Sequence, residues 1–143
     1  MNTQALDLLE RHQVCSLTVL LPNGSPHAAA VHFSHVADPL TLYFSTDRTS
    51  KKCQGLLNGQ SAKSSIVVGF SEEEWKTLQM DGEVKAILDK DELKKVQIVH
   101  YAKHPDAEKY KNDPDTLFLS FTPGWWRYSD LKIHPPAIIS SDT

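Results

Sequence analysis

Cysteine is scarce, with only Cys15 and Cys53 in 143 residues. Two thiols cannot build a disulfide framework and their spacing fits no metal site, so buried or half-buried free thiols are expected. No apolar run approaches the roughly 18 residues of a membrane helix, and no basic-then-apolar leader opens the chain. A membrane span and a signal peptide are therefore not expected, and the cytoplasm is the default compartment. Basic charge is also in short supply. The formal net charge of −3 gives no field for nucleic acid, and the acidic run Glu72 to Glu74 is short enough to be a solvated loop. Linkers, repeats and low-complexity tracts are missing too, so residues 1–143 read as one domain with an ordinary apolar content of 40%.

What is present is mostly alternation. Residues Asn2 to His12, within an N-terminal segment 1–13, place Ala5, Leu6 and Leu9 at helical spacing with Thr3 available as a cap. Cys15, Leu17, Val19 and Leu21 then alternate with Ser16 and Thr18, and the PNGSP turn sends the chain back through a strand from His27 to Phe33. The run Ala28 to Ala30 is small enough for another strand or a flat ligand to approach closely. Ser65 to Phe70 is a β-branched core strand. Trp75 to Ile87 is one long strand, with Trp75, Thr77, Gln79 and Asp81 on one face, Leu78, Met80, Val84 and Ala86 on the other, and a bulge or bend at Gly82. Asp89 and Glu92 open a helix that Pro105 ends near Lys103 or His104, with a second short helix expected from Asp106 to Lys111. Leu117, Leu119 and Phe121 alternate again, Pro123-Gly124 reads as a turn, Trp125 to Asp130 as the last strand, and 131–143 as an extended or frayed tail. Seven strand segments and three or four helices without a βαβ rhythm predict a mainly β fold, an antiparallel Greek-key barrel with peripheral helices.

The chain is organised around Tyr43 to Leu57. Here an alternating strand (Leu40, Leu42, Phe44 inward) runs into Thr46, Asp47, Thr49 and Ser50, and Ser50 can cap a helix from about Lys51 to Leu57. Such a helix end with two lysines suits a phosphate monoester; the same pattern also serves as a capped surface helix. Among the histidines, His32 and His35 fall on opposite strand faces. His100 and His104 lie four apart on a helix without a nearby third ligand, so no metal is expected.

Strand, Gly24/Pro26 turn, strand, Asp38-Pro39 turn, strand and S-K-K turn together resemble the pyridoxamine 5'-phosphate oxidase-like family, the FMN-binding split barrels. The resemblance spans Val14 to about Asp130. It implies FMN as cofactor, with its phosphate on Thr46, Ser50, Lys51 and Lys52 and its ring along the second strand at Val31, His32 and Phe33. LQMDG, Leu78 to Gly82, matches the family's fifth strand and implies that Gln79 or Thr77 reaches the flavin. It further implies a homodimer with flavins at the interface, Trp125, Trp126 and Arg127 approaching the partner's flavin, and a flavin-dependent oxidoreductase acting on a small molecule. Two features depart from the oxidase itself. Ala29 stands where it carries a phosphate-binding arginine, and WWRYSDLKIHPP lacks its substrate-binding arginine and histidine pattern, so vitamin B6 oxidation is not the expected reaction. Relatives that use haem or the deazaflavin F420, with His32 a candidate haem residue, and flavin-binding modules without catalysis are the alternatives.

Overall fold

The computed structural model describes residues 1–142. Seven strands run β1 (Val14–Leu20), β2 (Pro26–Ala37), β3 (Leu40–Asp47), β4 (Ala62–Val68), β5 (Lys76–Ala86), β6 (Thr116–Asp130) and β7 (Ala137–Ser140). All pairings are antiparallel. The sheet order is β3-β2-β1-β4-β5-β6-β7, and pairing of β3 with β6 closes the first six strands into a barrel, as the alternation implied. The period-2 pattern decides which side faces in. Cys15, Leu17, Phe33, Leu42, Phe44, Ile66, Leu78, Met80, Leu119 and Phe121 fill the barrel, while their polar neighbours turn outward. Both cysteines are buried free thiols, and burial pushes Cys15 up to about 12. No helix among the described residues is long and apolar enough to cross a membrane.

Two segments of the sheet differ from the sequence reading. Pro123-Gly124 is not a turn, because β6 runs unbroken for 15 residues. Its proline sits opposite Gly82, where the β5–β6 register shifts between Asp81 and Gly82, so the missing N–H falls at the expected bulge. A Cβ on Gly82 would lie 2.1 Å from the Thr122 carbonyl oxygen, so glycine is what lets the two strands pass. The tail is likewise more regular than expected. Residues 137–140 add β7 to the edge of β6, and Thr143 lies outside the described residues.

Helix α1 (Thr3–Arg11) packs Ala5, Leu8 and Leu9 against the barrel, and its cap is Asn2, whose side chain accepts from the Ala5 N–H, rather than Thr3. Helix α2 (Lys90–Lys103) begins where expected, with the Asp89 carboxylate accepting from the Glu92 N–H at 2.8 Å. It ends before Pro105, and a 3-10 helix covers Pro105–Tyr110. Val96 and Tyr101 of α2 pack with Ile87 and Phe118 on the outside of the barrel. That contact lays the C-terminal end of α2 across β2.

Candidate functional site

The site begins at a change of partner. Strand β2 pairs with β1 from Pro26 to His32 and with β3 only from Phe33 onward, while β3 beyond Phe44 pairs with β6 alone. The barrel wall is therefore split between early β2 and late β3, and the loop after β3 plugs the gap with buried Cys53 and Leu56. In place of the expected helix from Lys51 to Leu57 stands a 3-10 turn, Lys51–Cys53, with three-residue hydrogen bonds such as Leu56 N–H to the Cys53 carbonyl. Ser50 does not cap it. Its hydroxyl donates to the Asp47 carbonyl oxygen at 2.7 Å and accepts from the Lys52 ammonium at 3.2 Å.

Lys52 is 8% exposed. Ion pairs among the described residues join Arg11, His12, Asp7 and Glu74, so no carboxylate is paired with it. An ammonium has three donors, and Ser50 is the acceptor found for Lys52, so this buried cation retains capacity for an anion. Lys51 is exposed beside it. Asp47 is engaged locally: it accepts from the Thr49 N–H and hydroxyl, and those bonds hold its carboxyl below the usual range. Thr46 stands apart from the lysines in one respect. It lines a recess with Asp47, Asp113 and Asp115, whose carboxylates oppose a phosphate there.

The other candidates distribute by strand parity. Val31 and Phe33 point into the core, with the Phe33 carbonyl oxygen and N–H taken up by His104 and the Gln13 carbonyl, whereas His32 projects outward. Trp126 packs against the core and is only partly exposed. Ala30, Ser16, Val67, Gln79 and Arg127 follow one another across neighbouring strands and form one outward row. The Arg127 guanidinium lies 5.2 Å over the Trp125 ring, and Thr77 stands opposite Ser129. Ala29 turns inward against the core, and the small outward side chains beside it are Ala28 and Ala30.

One cluster escaped the sequence reading. His100 is 1% exposed and His104 9%; neither is at the surface. The Nδ1 of His100 lies 2.8 Å from the Ser34 hydroxyl, and His104 donates from Nε2 to the Phe33 carbonyl oxygen at 2.7 Å. The His104 ring centroid is 4.8 Å from that of His100 and 5.2 Å from that of His32. Burial first, then the charges of His104, His32 and Lys103, push His100 down to about 4. Lys103 reaches the Leu9 carbonyl and lies 4.0 Å over the Phe33 ring, and burial brings it down to about 8. These groups line a cavity of about 440 Å³ between β2 and the α2 corner. The i, i+4 spacing of the two histidines was visible in the sequence; which face of α2 meets β2 was not. No three His, Cys, Asp or Glu side chains among the described residues are arranged to hold a metal.

The family profile of pyridoxamine 5'-phosphate oxidase matches residues 1–130. The chain belongs to that family. Among curated proteins none matches. Solved structures share the oxidase-family fold. A Clostridium acetobutylicum protein related to general stress protein 26 superposes with a TM-score of 0.71 at 16% identity, covering 97% of this chain and 93% of that one. The haem-storage protein HutZ of Vibrio cholerae gives 0.70 at 14% identity over 84% and 87%. A haem-binding protein of Mycobacterium smegmatis gives 0.74 at 16% identity over 99% of this chain and 59% of that one.

Proposed function

We propose that the protein is a homodimeric FMN-binding oxidoreductase acting on a small molecule other than the vitamin B6 phosphates, in a reducing compartment where Cys15 and Cys53 stay thiols. The observation that carries this is Lys52, a buried ammonium in no ion pair, held on Ser50 at the split in the barrel wall, with the Asp47 carboxylate near enough to feel its charge. Lys52, Ser50 and the exposed Lys51 bind the flavin phosphate. The ring lies along the β2 backbone at Val31 to Phe33, where Ala28 and Ala30 leave room, and Gln79 or Thr77 serves as the polar contact from β5. Bound FMN supplies hydride and electron transfer, and the chain supplies position, charge and exclusion of water. Trp125 and Arg127 stand on the outward face of β6, with Asp142 beside them, and serve the flavin of a second copy. Trp126, packed inward, supports that face from beneath.

A charge-assisted hydrogen bond contributes about 1.5 to 3 kcal/mol. Lys52→Ala is accordingly expected to weaken FMN binding by roughly 10- to 100-fold, and Lys51→Ala by less because its ammonium stays hydrated. Titration by flavin fluorescence checks both, and unchanged affinity in both variants removes the cradle. Oxidation of NADH or NADPH with an artificial acceptor then separates an active flavoenzyme from a binding module.

The outward imidazole of His32 favours a second reading, haem or F420 on the same basic split, and two of the structural relatives carry haem in their descriptions. The colour of the purified protein distinguishes them: a Soret band supports haem, a flavin spectrum FMN.

A further inference from the structure

The cavity beneath the α2 corner is built differently from the lysine cradle. Its buried polar groups are imidazoles, and its charges are sparse: Lys103 from α2, with Lys109 and Asp106 from the following 3-10 helix. Lys103 and Lys109 against Asp106 leave one net positive charge, and burial holds His100 and His104 toward the neutral form. There is no arginine fork for a dianion, and Asp106 opposes one. Gln13, Ser45 and Tyr110 add neutral hydrogen-bonding groups, so a single carboxylate head with a small apolar body matches the lining.

His104 is the group tuned to respond. Its Nε2 must carry the proton, because it bonds the Phe33 carbonyl oxygen, which only accepts. That leaves Nδ1 as the nitrogen free to gain a proton. The groups facing it are His32 from β2, His100 and Lys103 from α2, and Asp106, Lys109 and Tyr110 from the 3-10 helix, with Cys15 and Glu10 behind Lys103. Burial, His32 and Lys103 hold the imidazole below its usual range, against the Phe33 hydrogen bond.

We propose that this cavity binds a small monoanionic carboxylic acid and that His104 takes up a proton when it does. A carboxylate within about 4 to 6 Å favours the charged imidazole, so binding and protonation reinforce each other. Affinity therefore rises as pH falls through the range where the bound form holds the extra proton and the free form, held below the ordinary imidazole range, does not. Lys103 adds a smaller change in the same direction.

The test is an NMR titration of the full-length protein with benzoate, phenyl phosphate and benzamide, following the ring protons of His32, His100 and His104. Benzoate is expected to give saturable shifts at His104, with affinity about tenfold tighter near pH 6 than near pH 8, and benzamide to give none. His104→Gln keeps a donor for the Phe33 carbonyl but cannot titrate, and should reduce the pH effect to less than about threefold. Lys109→Gln, at an exposed position on the cavity rim, should keep the fold and weaken benzoate binding. Absence of saturable benzoate binding, equal binding of benzamide, tighter binding of phenyl phosphate, or benzoate affinity independent of pH would each overturn the proposal. FMN supplies a separate arm. Displacement of benzoate by FMN would make the cavity part of the flavin's own site and also overturn it, whereas failure of FMN to bind would count against the cofactor reading alone.

Discussion

Burial of His100 against Ser34 and Phe118 makes its neutrality part of the fold. Its folded value is depressed to about 4 from 6.5, so the stability it contributes is complete above pH 6.5 and is lost as pH falls from there toward 4. The full loss is about 3 kcal/mol. Urea unfolding near pH 7 and near pH 4.5 should show that loss, and His100→Gln, which stays neutral, should flatten the slope; a variant with the wild-type slope would assign the acid sensitivity elsewhere. At this scale the sequence was legible where alternation alone decides, as with Leu78 and Met80 inward against Gln79 outward. It was not legible for His100, because polarity predicts exposure and only the packing of α2 on β2 overrides it. Trp126 is the converse case, an aromatic placed inward by strand parity once β6 is seen to continue through Pro123.

Element boundaries depend on which residue completes the backbone hydrogen bonds. Asp89 and Glu92 announce the start of α2, and Asp89→Ala is expected to cost about 1 kcal/mol, read as a lower melting temperature. A loss below the error of the melt would mean that packing of Val96 and Tyr101 alone fixes the helix start. The β5–β6 bulge is less forgiving. Gly82→Ala puts a methyl 2.1 Å from the Thr122 carbonyl oxygen and should destabilise by more than about 2 kcal/mol, whereas Gly24→Ala, with nothing within 4 Å but a positive φ, should cost less. Glycine at position 82 was readable as a bulge. Pro123-Gly124 was misread because one dipeptide serves a turn and a bulge equally, and only the partner strand tells them apart. The S-K-K segment was read as a helix start after β3, not as a 3-10 plug, since the split it fills arises from β2 changing partners.

Across the whole molecule, the barrel has two outward-facing features: the exposed Lys51 beside the cradle at the split, and the row from Ala30 to Arg127. Pairing two copies through that row would close both, which is how the proposed dimer and the proposed cofactor depend on each other. The overall barrel was accessible from the sequence because seven alternating segments without helical crossovers admit few topologies. Which pair closes it, β3 on β6, was not, since the two segments lie about 70 residues apart. The central claim, FMN held at the split in a dimer, is tested most directly by the absorption spectrum of the purified protein during titration with FMN, with native mass measured on the same sample. Flavin bands that shift and saturate at one FMN per chain in a species of twice the chain mass are the expected result. A Soret band, or FMN that never saturates, would contradict it.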